Sequence, residues 1–290
     1  MTRTGSVVVK FGGELIETPE ARARVAAGIA ALARTRPVLV VHGGGKAIDA
    51  ELSRRGIAPK KADGLRITDA DTLDTVVSVL AGNANTQLVA ALVAAGVRAV
   101  GLTGADAACG RADRALPFQA TSGEMVDLGL VGDPTDADPA LFELLMTNNY
   151  VPVVASIGMQ LHDGGPGLQT RPGDLLNVNA DVMACRIAAA LGSSELIIAG
   201  TTAGVLDATG RTIPTLDASA IDALIASGTA NAGMITKLRA CREALEDGVA
   251  AVQIIDGRAF DGDLAAAPGT TLGHAAMPGP PNTVFQERVS

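Results

Sequence analysis

Short runs of β-branched and aliphatic residues alternate with longer runs rich in Ala, Leu, Arg and Glu along most of this chain. Such alternation is typical of βαβ units, in which helices cover both faces of a mostly parallel sheet. The pattern predicts strands at Ser6–Phe11, Pro37–Val41, Val97–Leu102, Val151–Ala155, Glu195–Ala199 and Val252–Ile255. It predicts helices at Pro19–Arg34, Lys46–Arg55, Thr72–Ala81, Ala84–Ala95, Pro139–Asn148, Asn179–Leu191, Asp217–Ser227 and Ile235–Asp247. The expected fold class is therefore α/β, with three layers.

Two segments interrupt the alternation. Gln119–Thr135 and Met159–Leu176 are rich in Gly, Asp, Pro and Thr, which predicts hairpins or loops on the ligand side of the sheet. We interpret the second as the junction between two lobes. The last stretch, Ala275–Ser290, contains three prolines and is predicted to be a flexible tail.

Composition excludes several partners. The net charge is −8 and only 2 % of the residues are aromatic, which argues against nucleic acid and against an anionic membrane surface. The most apolar stretch, Leu88–Leu102, is interrupted by Arg98 and is too short to span a bilayer. The three cysteines and three histidines are scattered, as in a reduced cytoplasmic protein without a His-based metal site.

Two glycine-rich turns follow the first two predicted strands, at Lys10–Gly13 and His42–Lys46. In parallel sheets ligands bind beyond the carboxyl ends of strands, and backbone N–H groups of such turns bind phosphate. The second turn is not a Walker A loop, and the chain has no dinucleotide fingerprint. Alternatively, the first turn holds a lysine that reaches solvent, and the second is a tight turn with His42 as its support.

Three further segments carry candidate side chains. Asp63–Asp69 offers Arg66, which can bind a carboxylate in a bidentate way, and Asn177–Asp181 precedes and enters a helix. Gly233–Lys237 places a lysine at a predicted helix start, against the dipole preference. In isolation each has an ordinary alternative, namely a surface arginine, a helix cap and a solvated lysine.

Taken together, these segments resemble the amino-acid kinase family and, within it, the acetylglutamate kinase branch. The resemblance extends from the first strand to about Gly273. The combination of HGGGK, GLRITD and NVNAD in this order is specific to that branch. The remaining matching segments are VVVKFGG, VLAGNANTQLV, AVGLTGADA, VDLGLVGD, NNYVPVVASIG, GVLDATG and AGMITKLRA.

The resemblance implies ATP-dependent phosphorylation of the γ-carboxylate of N-acetyl-L-glutamate, a step of arginine biosynthesis. Lys10 and Lys237 would flank the transferred phosphoryl group as catalytic residues, with Asp181 orienting both. Arg66 and Asn177 would bind the α-carboxylate of the substrate. A carboxylate is already ionised at neutral pH, so this chemistry requires no general base.

The resemblance also assigns backbone donors and a nucleotide site. Amide groups of the glycine turns would contact phosphate and the reacting carboxylate, at Gly12, Gly13, Gly44 and Gly45. ATP would lie near Thr201–Leu206 and Thr229–Asn231, with contacts from Thr201, Gly204, Leu206 and Asn231. Mg²⁺ would bridge the ATP phosphates without protein ligands.

This chain departs from the family pattern in three places. Thr201 stands where the family has an Asp near the nucleotide, and Asn231–Gly233 lacks the usual Gly or Asp content. Both changes concern nucleotide affinity. Met159–Leu176 is longer than the usual hairpin, which suggests a shifted acyl-group preference.

The resemblance implies one domain over 1–274, with an acceptor-binding and dimerising lobe at about 1–176 and an ATP lobe at about 177–274. Since the chain begins at its first strand, without the extra helix of arginine-inhibited relatives, we expect a homodimer that arginine does not inhibit. Two alternatives stay open. One is a kinase for another N-acylated or carrier-bound amino acid, and the other is a non-catalytic nucleotide or amino-acid sensor of the same fold.

Overall fold

The structure is a computed structural model that describes residues 5–163, 170–227, 232–262 and 268–273. Its largest element is an eight-stranded sheet at the centre of the molecule. The strands over the described ranges are β1 Val7–Phe11, β2 Val38–His42, β3 Lys61–Ala62, β4 Leu65–Arg66, β5 Ala99–Thr103, β6 Ala112–Arg114, β7 Phe118–Gln119, β8 Met125–Val126, β9 Val131–Pro134, β10 Val151–Ala155, β11 Ile157–Met159, β12 Leu175–Val178, β13 Glu195–Gly200, β14 Thr215–Leu216, β15 Val252–Asp256 and β16 Gly269–Leu272.

Helices connect these strands. The α-helices are α1 Pro19–Ala33, α2 Gly45–Arg54, α3 Ala70–Val77, α4 Asn85–Ala94, α5 Ala140–Thr147, α6 Ala180–Ala190, α7 Ala218–Ala226 and α8 Ala232–Glu246. All six predicted strands and all eight predicted helical regions exist, with boundaries that differ by up to four residues. The tail at 275–290 lies outside the described residues.

The large sheet has the strand order β14-β16-β15-β13-β1-β2-β10-β5. Every neighbouring pair is parallel except β15 with β16. β1 and β2 are therefore in the middle, and their carboxyl ends lie side by side, with Phe11 opposite His42. This arrangement brings the two glycine turns together.

Alternate residues of β1 belong to different cores, because successive side chains of a strand point to opposite faces. Val8 packs in one apolar cluster with α6 and α8, whereas Val7 and Val9 pack in another with α1 and α4. Lys10 follows Val8 in this alternation, so its side chain lies on the α6 face. Helices on both faces of a mostly parallel sheet confirm the predicted αβα sandwich.

The two segments expected to be hairpins or loops contribute to a second sheet. β6, β9, β11 and β12 form a four-stranded sheet in the order β11-β12-β9-β6. Here β11 pairs antiparallel with β12 across the Met159–Leu176 connection, of which residues 164–169 lie outside the described ranges. These short strands were missed because each is too brief to show a period.

The chain from Ala70 to Ala94 is one continuous helical stretch, whereas the sequence predicted two helices. A π-helical turn at Ser78–Ala84 joins α3 to α4 through Gly82 and Asn83. By length and composition alone this stretch is apolar enough to cross a membrane. Its Leu80, Leu88 and Leu92 side chains are nevertheless buried in the globular core.

Candidate active site

The two glycine turns touch each other at the carboxyl end of the sheet. A Cβ atom at Gly13 would meet the Gly44 Cα at 2.8 Å, and a Cβ atom at Gly44 would meet a methyl carbon of Leu80 at 2.8 Å. The first distance is shorter than any real Cβ contact and involves backbone, so the approach of the two turns requires glycine at position 13. At Gly44 a Cβ atom would instead displace the end of the Leu80 side chain. Leu80 reaches Gly44 from the π-helical turn.

The buried His42 side chain supports the second glycine turn. It is fully buried, with Nδ1 at 3.3 Å from the Gly43 carbonyl and Nε2 at 3.0 Å from Nδ2 of Asn85. Burial lowers the pKa of His42 from 6.5 to about 4, because desolvation disfavours the charged ring. A neutral imidazole that donates to Gly43 and accepts from Asn85 satisfies both nitrogens.

Lys10 and Lys237 share one carboxylate. The Nζ atom of Lys10 lies 2.6 Å from Oδ1 of Asp181, and the Nζ atom of Lys237 lies 3.7 Å from Oδ2 of the same side chain. Burial alone would raise the pKa of Asp181, but the charges of the two lysines lower it overall. The carboxylate therefore stays ionised, and the three groups together carry one net positive charge.

The amino end of α6 places Asp181. Asn179 is the N-cap, and its Oδ1 accepts hydrogen bonds from the amides of Asp181 and Val182 at 2.9 and 3.3 Å. The predicted cap is confirmed. The prediction for Lys237 was wrong in one respect, since α8 begins at Ala232 and places this lysine beyond the first turn. A dipole penalty is therefore no reason for its presence.

Arg66 lies at the other end of the site, on a tight hairpin formed by β3 and β4. Asp63 and Gly64 at its tip both have positive φ angles, of 48° and 82°, which is the Asp-Gly turn that favours two-residue hairpins. The Arg66 side chain is only 7 % exposed, so the alternative of an ordinary surface arginine is wrong. Its Nη2 donates to the Gly45 carbonyl at 3.1 Å.

Asn177 lies in β12, two residues before the N-cap of α6. Its Nδ2 donates to Oγ1 of Thr68 at 3.1 Å, and this hydroxyl donates in turn to the Arg66 carbonyl at 3.1 Å. Thr68 is fully buried. The Asn177 amide and the Arg66 hairpin are thereby tied together.

One cavity of about 390 Å³ connects these groups. The predicted residues that line it are Lys10, Gly12, Gly13, Gly44, Gly45, Arg66, Asn177 and Asp181. Thr236, next to Lys237 in sequence, lines it as well. Among the described residues, the cavity thus has four positively charged side chains in or next to its lining, at two ends, namely Lys10, Lys61, Arg66 and Lys237. The whole chain nevertheless carries a net charge of −8.

The nucleotide side matches expectation less well. The Gly12 amide donates to the Ala199 carbonyl at 3.0 Å, so a phosphate would share this amide with that carbonyl, and the expected Gly12–phosphate hydrogen bond stays a prediction. Thr201 and Leu206 are exposed on the loop after β13 and, like Gly204, do not line the cavity. Asn231 lies outside the described residues.

Gly204 has a structural reason of its own. Its φ angle is +109°, and a Cβ atom there would lie 2.6 Å from Oγ1 of Thr270. The same hydroxyl accepts a hydrogen bond from the Val205 amide at 2.8 Å. Glycine is therefore required here by packing, whatever binds beside it.

Sequence reasoning missed two residues near Arg66. Asp49 on α2 forms ion pairs with Arg66 and with Lys61, and Lys61 lines the cavity. The sequence does contain the two features involved. One is the Asp63-Gly64 turn with Lys61 and Arg66 on either side, and the other is Asp49, one turn into the helix after the second glycine turn. Neither feature suggests the contact without the fold.

Comparison with known proteins identifies the family. Residues 5–256 match the amino acid kinase family. The acetylglutamate kinase of Sorangium cellulosum is 42 % identical over 91 % of this chain and 91 % of its own length, and that of Symbiobacterium thermophilum is 41 % identical over 87 % and 84 %. A solved structure from Streptococcus mutans superposes with a TM-score of 0.73 at 26 % identity, covering 92 % of this chain and 98 % of that one. This chain belongs to the amino acid kinase family.

Proposed function

We propose that this protein transfers the γ-phosphoryl group of ATP to the γ-carboxylate of N-acetyl-L-glutamate. The product, N-acetyl-L-glutamyl 5-phosphate, would serve arginine biosynthesis. The observation that carries the proposal is a single cavity with two lysines around Asp181 at one end and Arg66 with Asn177 at the other. A substrate with two carboxylates fits this cavity, because one carboxylate would react at the lysine end and the other would be bound at the Arg66 end.

Charge neutralisation is the main task at the phosphoryl end. The attacking carboxylate and the ATP phosphates repel each other, and both must meet in line. Lys10 and Lys237 would offset this repulsion. Asp181 holds their two ammonium groups, one at each of its carboxylate oxygens. Because the acceptor is ionised at neutral pH, no residue has to remove a proton.

The glycine turns would supply neutral donors beside the lysines. Gly44 and Gly45 stand at the amino end of α2, where amides lack helical partners and the dipole favours anions. Gly13 lies against Gly44. We assign these amides to the phosphoryl oxygens and the reacting carboxylate, and Arg66 with Asn177 to the α-carboxylate.

ATP would approach from the side of β13. The Gly12 amide is bound to the last buried residue of that strand, so the loop at Thr201–Leu206 lies next to the first glycine turn. Among the described residues, no group of three or more His, Cys, Asp and Glu side chains is arranged to hold a metal ion. We assign Mg²⁺ to the ATP phosphates, where it would lower the charge of the transferred group.

We also propose one domain with two lobes, joined near residue 176, and a cytoplasmic homodimer. The outer strand β5 supports the dimer, since it ends the large sheet beside α4. Val93 of α4 is 55 % exposed, and Gly101 of β5 lines an open groove between the two elements. Light scattering of the wild type and of Val93→Asp would test this assembly.

The test of function is an acyl-phosphate assay. The purified protein is incubated with Mg-ATP and one acid at a time, and the acyl phosphate is trapped by hydroxylamine. The acids are N-acetylglutamate, glutamate, aspartate and aminoadipate, of which N-acetylglutamate should react fastest. Preference for another acid would favour the kinase of a different substrate, and no turnover with any acid would favour the sensor.

A further inference from the structure

Asp49 binds two cations of the acceptor hairpin at once. Its Oδ1 lies 2.5 Å from Nη1 of Arg66, and its Oδ2 lies 2.7 Å from Nζ of Lys61. Lys61 and Arg66 are directly opposite each other in the antiparallel pair β3 and β4. Like charges at opposite positions of a hairpin repel, so the carboxylate between them holds an otherwise unfavourable pair together.

The contact between Asp49 and Arg66 is shielded from water. Both contacting atoms, Oδ1 and Nη1, are buried, and neither has another hydrogen-bond partner among the described residues. Burial alone would raise the pKa of Asp49, but the hydrogen bonds from Lys61 and Arg66 lower it overall. A buried guanidinium without this carboxylate would be costly, so the orientation of Arg66 depends on Asp49.

The cations face the cavity, and the carboxylate stands behind them. Lys61 and Arg66 are among the lining residues, whereas Asp49 is not. Arg66 uses Nη1 for Asp49 and Nη2 for the Gly45 carbonyl, which leaves the other N–H groups of its guanidinium for a ligand. Lys61 likewise retains ammonium N–H groups beyond the one that binds Asp49.

We infer that Asp49 is a positioning residue that fixes Arg66 and Lys61 as a two-cation clamp for the acceptor's α-carboxylate. Two cations and one carboxylate leave one net positive charge, which matches one carboxylate of the substrate. Lys61 is thereby a binding residue, and the clamp selects acceptors that carry a free carboxylate away from the reacting one. This inference rests on the proposed function and names the part of the site that sets its specificity.

The test pairs variants of the protein with variants of the substrate. N-Acetyl-L-glutamate and 4-acetamidobutyrate share the reacting carboxylate and the acetamido group, but only the first has the α-carboxylate. With saturating Mg-ATP, kcat/KM is measured for both acids in the wild type, Asp49→Asn and Lys61→Met. We expect each variant to lose about tenfold in kcat/KM for N-acetylglutamate and little for 4-acetamidobutyrate.

Matched controls exclude a general effect on the fold. Lys60→Met removes an exposed lysine of the same segment that does not line the cavity, and Asp74→Asn breaks an exposed ion pair with Arg55. Both should leave the ratio of the two substrates unchanged, and Asp49→Glu should restore part of it.

Two results would overturn the inference. Equal losses for both acids in Asp49→Asn would mean that Asp49 only stabilises the fold, and an unchanged ratio in Lys61→Met would remove Lys61 from the clamp. A wild type that phosphorylates neither acid would refute the proposed function itself, which is a different outcome.

Discussion

At the proposed phosphoryl end of the cavity Asp181 lies between Lys10 and Lys237, and at the proposed acceptor end Asp49 lies between Arg66 and Lys61. Each end thus joins two cations through one carboxylate. The surroundings differ. The three side chains of the first group are 11–15 % exposed and come from a central strand and two long helices. Those of the second include Lys61, which is 43 % exposed, on a hairpin of two-residue strands.

Under the proposed function, this difference separates two tasks. Phosphoryl transfer depends on fixed distances, and a strand buried between two others provides them. Recognition of the acceptor requires entry of the substrate, and a short hairpin at the surface can move with less loss of packing. Changes at the first end should therefore affect kcat, and changes at the second should affect KM.

The largest effect is expected at the lysines. Lys10→Ala and Lys237→Ala should each lower kcat by about 10³-fold, because a preorganised charge at the transferred group is lost. The acceptor KM should change far less. Steady-state kinetics with the hydroxylamine readout measures both, and thermal unfolding controls for folding. Near-normal turnover in either variant would refute its assigned role.

Arg66→Ala is expected to show the opposite pattern. Loss of the guanidinium should raise the KM for N-acetylglutamate by about 10²-fold with a much smaller change in kcat. The KM for ATP should stay near the wild-type value, since Arg66 lies at the acceptor end. A drop in kcat as large as that of Lys10→Ala would contradict the division between the two ends.

His42 supports the second glycine turn through its contact with the Gly43 carbonyl, and its titration should appear in the stability of the protein. The folded-state pKa is about 4 and the ordinary value is 6.5. The folded protein holds the His42 ring in its neutral form. The contribution of this ring to the free energy of unfolding is therefore fully present above pH 6.5 and is lost as the pH falls towards 4. The expected loss is about 3 kcal/mol.

Denaturant unfolding between pH 7 and pH 4 measures this effect. The pH dependence should be weaker in His42→Gln than in the wild type. His162→Gln is the matched control, because His162 is exposed and, within the described ranges, its ring makes no hydrogen bond while its carbonyl accepts one from Gln160. An equal slope for His42→Gln and the wild type would show that another group causes the acid lability.

Thr121→Ala should give the smallest effect. The Thr121 hydroxyl donates to Asp63 at 2.6 Å, and its amide donates to the same carboxylate at 2.9 Å. Loss of the exposed hydroxyl contact alone should loosen the tip of the Arg66 hairpin and raise the acceptor KM two- to threefold, or about 0.5 kcal/mol. Ser122→Ala is the neighbouring control, and a raised KM for ATP would argue against a local effect.

The alternation of strands and helices was sufficient to predict the large sheet and its two helical layers, because long elements show their period in sequence. The caps at Asn179 and Asp69 were also predictable, since Asn and Asp before a helix have a local reason. Four short strands of the second sheet and the π-helical turn were not, since too few residues carry the pattern.

By itself the sequence determined the fold class, the family and the residue types at the site, because motifs such as HGGGK and NVNAD are local and specific. Only the tertiary structure decided which groups share a partner. Asp181 lies between two lysines, and Asp49 lies between Arg66 and Lys61. The partners in these ion pairs are 12 to 171 positions apart in the sequence. Such contacts follow from the adjacent carboxyl ends of β1 and β2 and from the hairpin's approach to α2, which no local pattern encodes.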